Sequence, residues 1–315
     1  MLKILFSTIA LTSALFTSSA FADKLKVALL IPGTVTDGAI NQVAYEGIKR
    51  AEKDFDIEVA YTEKVTQVSQ LEIMSDYARR GYDIVVGVGG EFTDAAKRVA
   101  DQFPDAKIGV VNGAPTDGIF TLNYQNQQFG YVAGLVGGRM TKSGKNAIIA
   151  GQTFEAFEQI VEGYRAGLKV GRPDGEVMVV FTNDWADVAK AKEASFNVIS
   201  QGADVLMPYL DAGLQGVGQA AKERNVHIVS SVTDMQAIFP EQSYVSLVLD
   251  FGGALHMMVQ MATNGTLEKK DYRFNLGSEA GYLVGFNDQV PASVQDEVKQ
   301  AIADFDSGKL VIGKP

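Results

Sequence analysis

The sequence predicts an α/β protein built from two doubly wound parallel-sheet lobes in tandem. Short apolar runs alternate with segments of helical period along nearly the whole chain, and this alternation is typical of βαβ units. The pattern restarts near residue 125, with segments of similar length on each side. The chain has 315 residues, of which 46% are hydrophobic, so it can bury the core of one large domain or of two ordinary ones.

The first half of the chain alternates strands and helices from residue 25 onward. Strands are predicted where apolar runs are short, and helices where apolar residues recur every three or four positions. The predicted strands are 25–31, 57–61, 83–88, 107–111 and 118–123, and the predicted helices are 42–55, 67–80 and 92–102.

The second half repeats this order. Its predicted strands are 146–150, 176–181, 203–207, 226–230 and 243–249, and its predicted helices are 129–140, 154–168, 184–200 and 213–224. A last helix over 294–305 is expected to pack back on one of the lobes. Ligands of open α/β sheets bind at the carboxyl ends of the strands. The loops that follow strands are therefore the places to expect a site.

The first 22 residues have the pattern of a secretory signal peptide. Lys3 precedes an apolar run over 4–16, and small residues lead to Ala20-Phe21-Ala22. A positive start, a short apolar stretch and an A-x-A end are the three parts of such a signal. We expect export with cleavage after Ala22. Because the chain has no cysteine, it is not expected to be a lipoprotein, and a periplasmic location is predicted.

Composition and motifs argue against several classes of function. The formal net charge is −10, whereas a nucleic-acid-binding protein would need a basic face. The sequence contains neither an H-E-x-x-H nor a G-x-S-x-G motif, which are signatures of zinc proteases and of serine hydrolases. His227 and His256 lie in a predicted strand and in a helical stretch, where structural roles are expected. No catalytic residue, metal or cofactor is therefore predicted.

Several segments, taken in order, resemble the BMP family (basic membrane protein, PnrA-like). They are D-G-A-I-N-Q over 37–42, F-T-D-A over 92–95, G-Y-V-A-G over 130–134, E-G-Y-R-A-G over 162–167 and D-V-A-K-A-K-E over 187–193. The resemblance covers essentially the whole chain after residue 22.

The resemblance implies a type I periplasmic binding fold, with two lobes, a hinge and the ligand between them. The lobes would be 23–124 with a return segment of about 250–275, and 125–249 with a C-terminal segment of about 276–315. It also implies a monomeric receptor that hands a small molecule to an ABC transporter permease. Characterised members of the family bind purine nucleosides, so a purine-like ligand is expected.

Carried over position by position, the resemblance also names candidate ligand-binding residues. The first-lobe loop supplies Asp37, Ile40 and Asn41, and Ile40 stands where the family usually has a stacking Phe. Trp185 is the sole tryptophan, and its flat ring is expected to stack on a heteroaromatic ligand. The remaining candidates lie in loops near strand ends: Asn112, Phe154, Asp187, Asp211, Gly213, Asp234 and Glu279.

Departures from the family pattern leave alternatives open. Asn112 replaces a usual Asp, and Leu249 stands where a Lys is usual. These changes favour a changed ligand, because a buried polar group that loses its partner destabilises a complex. The first alternative keeps the fold and binds a non-purine small molecule, such as a sugar, an amide or a signalling metabolite. The second is an exported nucleoside hydrolase.

Overall fold

Two six-stranded sheets form the scaffold of the protein. The computed structural model describes residues 24–231 and 233–313, so the predicted signal peptide lies outside the described residues. The first sheet contains β1 (Leu25–Leu30), β2 (Ile57–Thr62), β3 (Ile84–Val88), β4 (Lys107–Val111), β5 (Phe120–Tyr124) and β11 (Asp271–Phe274). The second contains β6 (Lys145–Ala150), β7 (Glu176–Phe181), β8 (Val205–Tyr209), β9 (His227–Ser231), β10 (Ser243–Leu249) and β12 (Gly281–Phe286).

Helices connect most of these strands. They are α1 (Ile40–Asp54), α2 (Gln70–Arg79), α3 (Thr93–Gln102), α4 (Asn126–Met140), α5 (Glu155–Gly171), α6 (Val188–Ser200), α7 (Leu214–Arg224), α8 (Phe251–Thr263) and α9 (Ala292–Asp306), with a short 3₁₀ turn over Gly90–Phe92. Adjacent β1 residues belong to different cores, Val27 to one and Ala28 to the other. Both faces of the first sheet are therefore covered, as a parallel sheet requires.

The strand order is that of two doubly wound sheets. The first sheet runs β11-β5-β4-β3-β1-β2, and the second runs β12-β10-β9-β8-β6-β7. The paired strands are parallel except for β12, which pairs antiparallel with β10. The chain passes between the sheets after β5, after β10 and after β11. This architecture confirms the predicted fold class.

Strands β11 and β12 were missed by the sequence analysis, and α8 was expected only as a helical stretch around His256, without bounds. Helix α8 is apolar on most sides because it is packed among other elements, so it lacks the amphipathic period. Strand β11 has only four residues, and β12 contains two glycines, one of which (Gly285) has a positive φ. Short strands and strands with glycine give weak sequence signals.

Helix α6 begins four residues later than predicted. Asp184 accepts hydrogen bonds from the backbone N–H groups of Ala186 and Asp187, which holds this stretch in a turn. Asp187 then caps the helix by accepting from the N–H of Lys190 at 3.0 Å. An aspartate favours such a cap over an interior helical position.

Helices α4 and α5 approach each other through glycines. A Cβ atom on Gly134 would lie 2.0 Å from the carbonyl oxygen of Tyr164, and one on Gly167 would lie 2.0 Å from that of Tyr131. The two backbones are thus in direct contact, and no side chain fits between them. Helix α9 packs on α4, where Phe305 meets Tyr131 edge-on at 5.3 Å.

Candidate functional site

A cavity of about 740 Å³ lies between the two sheets. Its wall is made by residues at or just after the carboxyl ends of strands from both sheets, together with the starts of α5 and α8. This is the edge at which open α/β sheets bind ligands. The volume is within the range of small-molecule sites.

The aromatic wall, from the second sheet, is named for three aromatic side chains that stand among polar residues of the same wall. Phe154, Trp185 and Tyr209 form a cluster with ring centroids 6.0 to 6.3 Å apart. The indole of Trp185 lies against Gly151, where a Cβ atom would be 2.3 Å from the ring. The backbone carbonyl of Trp185 accepts hydrogen bonds from the N–H groups of Asp211 and Gly213. The two loops that follow β7 and β8 are therefore tied together beside the ring.

The amide wall, from the first sheet, is named for the side chains of Asn41, Asn112 and Asn123, which stand among small and apolar residues. Asn41 and Ile40 begin α1 and line the cavity. The carboxylate of Asp37 accepts from the side-chain amide of Asn41 at 2.6 Å and from the backbone N–H groups of Ala39 and Gln42. Asp37 itself is not part of the cavity wall. It positions Asn41, and its charge lies at the start of a helix, where negative charge is favoured.

Asn112 is the most informative polar residue of this wall. It follows β4 with φ of +57°, a left-handed conformation that asparagine tolerates better than most residues. Only 8% of the residue is exposed, and none of the residues that the structure describes donates a hydrogen bond to its Oδ1 atom. Its amide interacts with the hydroxyl of Tyr209 on the opposite wall. A buried acceptor without a donor costs about 1–3 kcal/mol, which a ligand N–H would offset.

Asp211 is a carboxyl group in a largely apolar part of the wall. Burial, reinforced by the negative charges of Asp37 and Glu91, raises the pKa of the Asp211 carboxyl to about 7. Burial also raises the pKa of Glu91. Asp211 therefore changes charge near neutral pH, unlike a solvated aspartate.

Six of the residues expected at the site line the cavity. They are Ile40, Asn41, Asn112, Phe154, Trp185 and Asp211. The structure thus brings residues that follow five different strands, on two sheets, to one place.

The other five expected residues lie outside the cavity wall. Asp37 positions Asn41, Asp187 caps α6, and Gly213 precedes α7. Asp234 accepts from the backbone N–H of Gln236, and Glu279 lies between β11 and β12. Each of these residues is held in a turn or cap near a strand end, so its position along the sequence resembled that of a wall residue.

Several wall residues were missed by the sequence analysis. They are, among others, Glu91, Asn123, Tyr124, Tyr209, Phe251 and Arg273. The predicted strand ended at residue 207, so Tyr209 lay within the loop expected after it but was not singled out as a candidate; in the structure it is the last residue of β8. Arg273 belongs to a strand that the sequence analysis did not predict, and Phe251 to a helix whose bounds it did not give.

Neither histidine lies in the cavity wall. The ring of His227 stacks on Tyr244 at 4.3 Å, and its Nε2 atom is 3.0 Å from the side-chain oxygen of Gln289. His256 pairs with Asp54 at 2.9 Å. Within residues 24–231 and 233–313, acidic and histidine side chains form no group of three or more that could hold a metal ion. In the same ranges, each helix is too short or too polar to span a membrane.

Comparison with known proteins gives consistent matches over the described chain. The family model described as "ABC transporter substrate-binding protein PnrA-like" matches residues 24–311. "Transcriptional activator protein med" of Bacillus subtilis is 25% identical over 288 residues, which cover 90% of each chain. "Basic membrane protein A1" of Borrelia garinii is 26% identical over 99% of this chain and 95% of its own. A solved ABC transporter solute-binding protein from Conexibacter woesei superposes with a TM-score of 0.71 at 25% identity, over 91% of this chain and 98% of that one.

Proposed function

Because the chain belongs to the PnrA-like family of ABC transporter substrate-binding proteins, we propose that its cavity binds one flat, purine-like molecule, a nucleoside or a nucleobase. The observation that carries this proposal is the pairing of an aromatic wall with an amide wall across a cavity of about 740 Å³. A flat ring can stack on the Trp185 side while its polar edge meets amide groups on the Asn112 side.

The amide wall fits the edge of a nitrogen heterocycle. Ring N–H and exocyclic amino groups are donors, and the Oδ1 atom of Asn112 is an acceptor without a donor among the residues that the structure describes. Ile40 adds apolar surface on the same wall. Stacking on an aromatic side chain contributes about 1–3 kcal/mol per base. Together these contacts supply both affinity and orientation, as is usual in small-molecule sites.

The proposed mechanism is closure of the two lobes on the ligand. The lobes are residues 23–124 with about 250–275, and 125–249 with about 276–315. A ligand that contacts both walls stabilises the closed arrangement and shifts an existing equilibrium between open and closed forms. We propose that the closed receptor, a monomer in the periplasm after loss of residues 1–22, delivers the molecule chemically unchanged to a permease.

Tryptophan fluorescence tests this function. Trp185 is the only tryptophan and lines the cavity, so its emission reports on this site alone. We expect adenosine, inosine or hypoxanthine to change the emission in a saturable way that fits one site per chain. A tryptophan derivative free in solution is titrated with the same purines in parallel. This control corrects the emission for the light that the purines absorb. If no purine changes the emission and a sugar binds in a calorimeter, the purine proposal is wrong.

A further inference from the structure

The cavity wall contains buried acceptors that lack donors. In the part of the chain that the structure describes, the Oδ1 atoms of Asn112 and Asn126 have no hydrogen-bond partner, and both residues line the cavity and are more than nine-tenths buried. The Asn126 amide donates to Gln159 at 3.4 Å. Two residues of the wall, on different elements, therefore hold acceptors that a ligand donor would satisfy.

Carboxylates add to this excess of acceptors. Asp211 and Glu91 line the cavity from opposite sheets. In the part of the chain that the structure describes, no donor meets the Asp211 side chain, whereas Asp37, behind the wall, is held by three N–H groups and one amide. Asp211 is partly buried, and a carboxylate that has lost part of its hydration and has no donor is unfavourable.

The cations near the cavity do not balance these charges. Arg273 lines the cavity, but its Nε atom is 2.6 Å from Asp271, whose other oxygen accepts from Thr121 and Asn123. Glu155, at the start of α5, adds a further negative charge to the wall. The described wall residues therefore carry more negative charge than positive charge.

From this balance we infer that the cavity selects a heteroaromatic ligand with a positively charged, N–H-bearing edge, and that Asp211 pairs with that edge. The inference rests on the proposed function and narrows its ligand class. The backbone N–H of Asp211 donates to the carbonyl of Trp185 at 3.0 Å, so the two residues are held next to each other in the cavity wall. A cationic ring also gains from the faces of Trp185 and Tyr209 through cation–π attraction.

The charge of Asp211 makes the selection depend on pH. Its pKa is raised to about 7 by burial and by the negative charges of Asp37 and Glu91; Glu155 and Arg273 are the other charged groups of the cavity wall. Below this pKa the carboxyl is neutral and attracts a cation weakly. Above it the carboxylate is charged, so affinity for a cation rises as the pH rises through 7.

Two methylated nucleosides test the inference by calorimetry. 1-Methyladenosine is cationic up to neutral pH, whereas 1-methylinosine carries the same methyl group and is neutral. We expect the affinity for 1-methyladenosine to rise on the order of twentyfold between about pH 5.5 and about pH 7.5, following ionisation of one group with a pKa near 7. Affinity for 1-methylinosine should change less than about twofold, and the cation should bind at least about tenfold more tightly at the higher pH.

A charge-neutral variant identifies the residue. Asp211→Asn is expected to abolish both the preference for the cation and its pH dependence. Asp105→Asn removes the same charge from the loop before β4, at the opposite edge of the first sheet, and should behave like the wild type. Circular dichroism and thermal unfolding establish that both variants are folded.

The outcomes separate this inference from the proposed function. Equal affinity for the two nucleosides, a preference that survives Asp211→Asn, or binding of inosine without binding of 1-methyladenosine overturns the inference and leaves purine binding intact. Absence of binding for both methylated nucleosides and for adenosine, inosine and hypoxanthine overturns the proposed function as well.

Discussion

Replacing Gly134 with alanine is expected to lower the free energy of unfolding by about 3 kcal/mol, through overpacking. In an ordinary helix the same change would raise stability by about 1 kcal/mol, because alanine is the better helix former. Here the added Cβ atom would lie 2.0 Å from the carbonyl oxygen of Tyr164. Backbone cannot move aside as a side chain can, so α4 and α5 must separate. A decrease in the free energy of unfolding therefore indicates overpacking, whereas an increase would indicate an ordinary gain in helix propensity.

Urea unfolding followed by circular dichroism measures this effect. Gly137→Ala is the matched control in the same helix, since its Cβ atom would meet the hydroxyl of Tyr164 at 2.5 Å, the end of a side chain. We expect the control to lose clearly less stability than Gly134→Ala. A Gly134→Ala protein as stable as the wild type would show that the two helices do not need this contact.

Replacing Trp185 with alanine is expected to weaken adenosine binding by about 1–3 kcal/mol, which is roughly fivefold to more than a hundredfold in the dissociation constant. The ring supplies a flat face to the cavity and is held by Phe154, Tyr209 and the backbone of Gly151. Trp185→Phe keeps an aromatic face and should retain most of the affinity.

Isothermal titration calorimetry measures the dissociation constants of these variants. Phe196→Ala serves as the control, because Phe196 is an aromatic residue of α6 that packs on Arg224 at 4.9 Å and does not line the cavity. If Trp185→Ala binds adenosine as tightly as the wild type, the ligand does not stack on this ring.

The sheets could be predicted from the sequence because each strand up to β10 is an apolar run bounded by polar loops. Segment 84–88, for example, is entirely buried, and a buried parallel strand has a continuous apolar sequence. The later elements were missed because long-range packing determines them. Strand β11 pairs with β5, more than a hundred residues earlier in the chain, and its own sequence, DYRF, gives no strand signal.

Only the part of the candidate site that lies in loops just after strands could be predicted from the sequence. Asn112, Trp185 and Asp211 follow strands and line the cavity, because the carboxyl ends of the strands of both sheets meet there. The rule does not distinguish Asp187 from them, because helix caps use the same polar residue types just after strands. It also missed Phe251, which reaches the cavity from α8 and stacks on Tyr124 at 5.6 Å.

Calorimetry on a variant of Asn112, in the wall opposite Trp185, tests the central claim. This claim is that one flat molecule is held by residues of both sheets. Asn112→Gly removes the amide and still allows the positive φ of this position. The wild type should bind one adenosine per chain, and Asn112→Gly should bind it about tenfold more weakly through loss of a buried hydrogen bond. Wild-type affinity in Asn112→Gly, beside a loss in Trp185→Ala, would mean that only one lobe holds the ligand and would contradict the account.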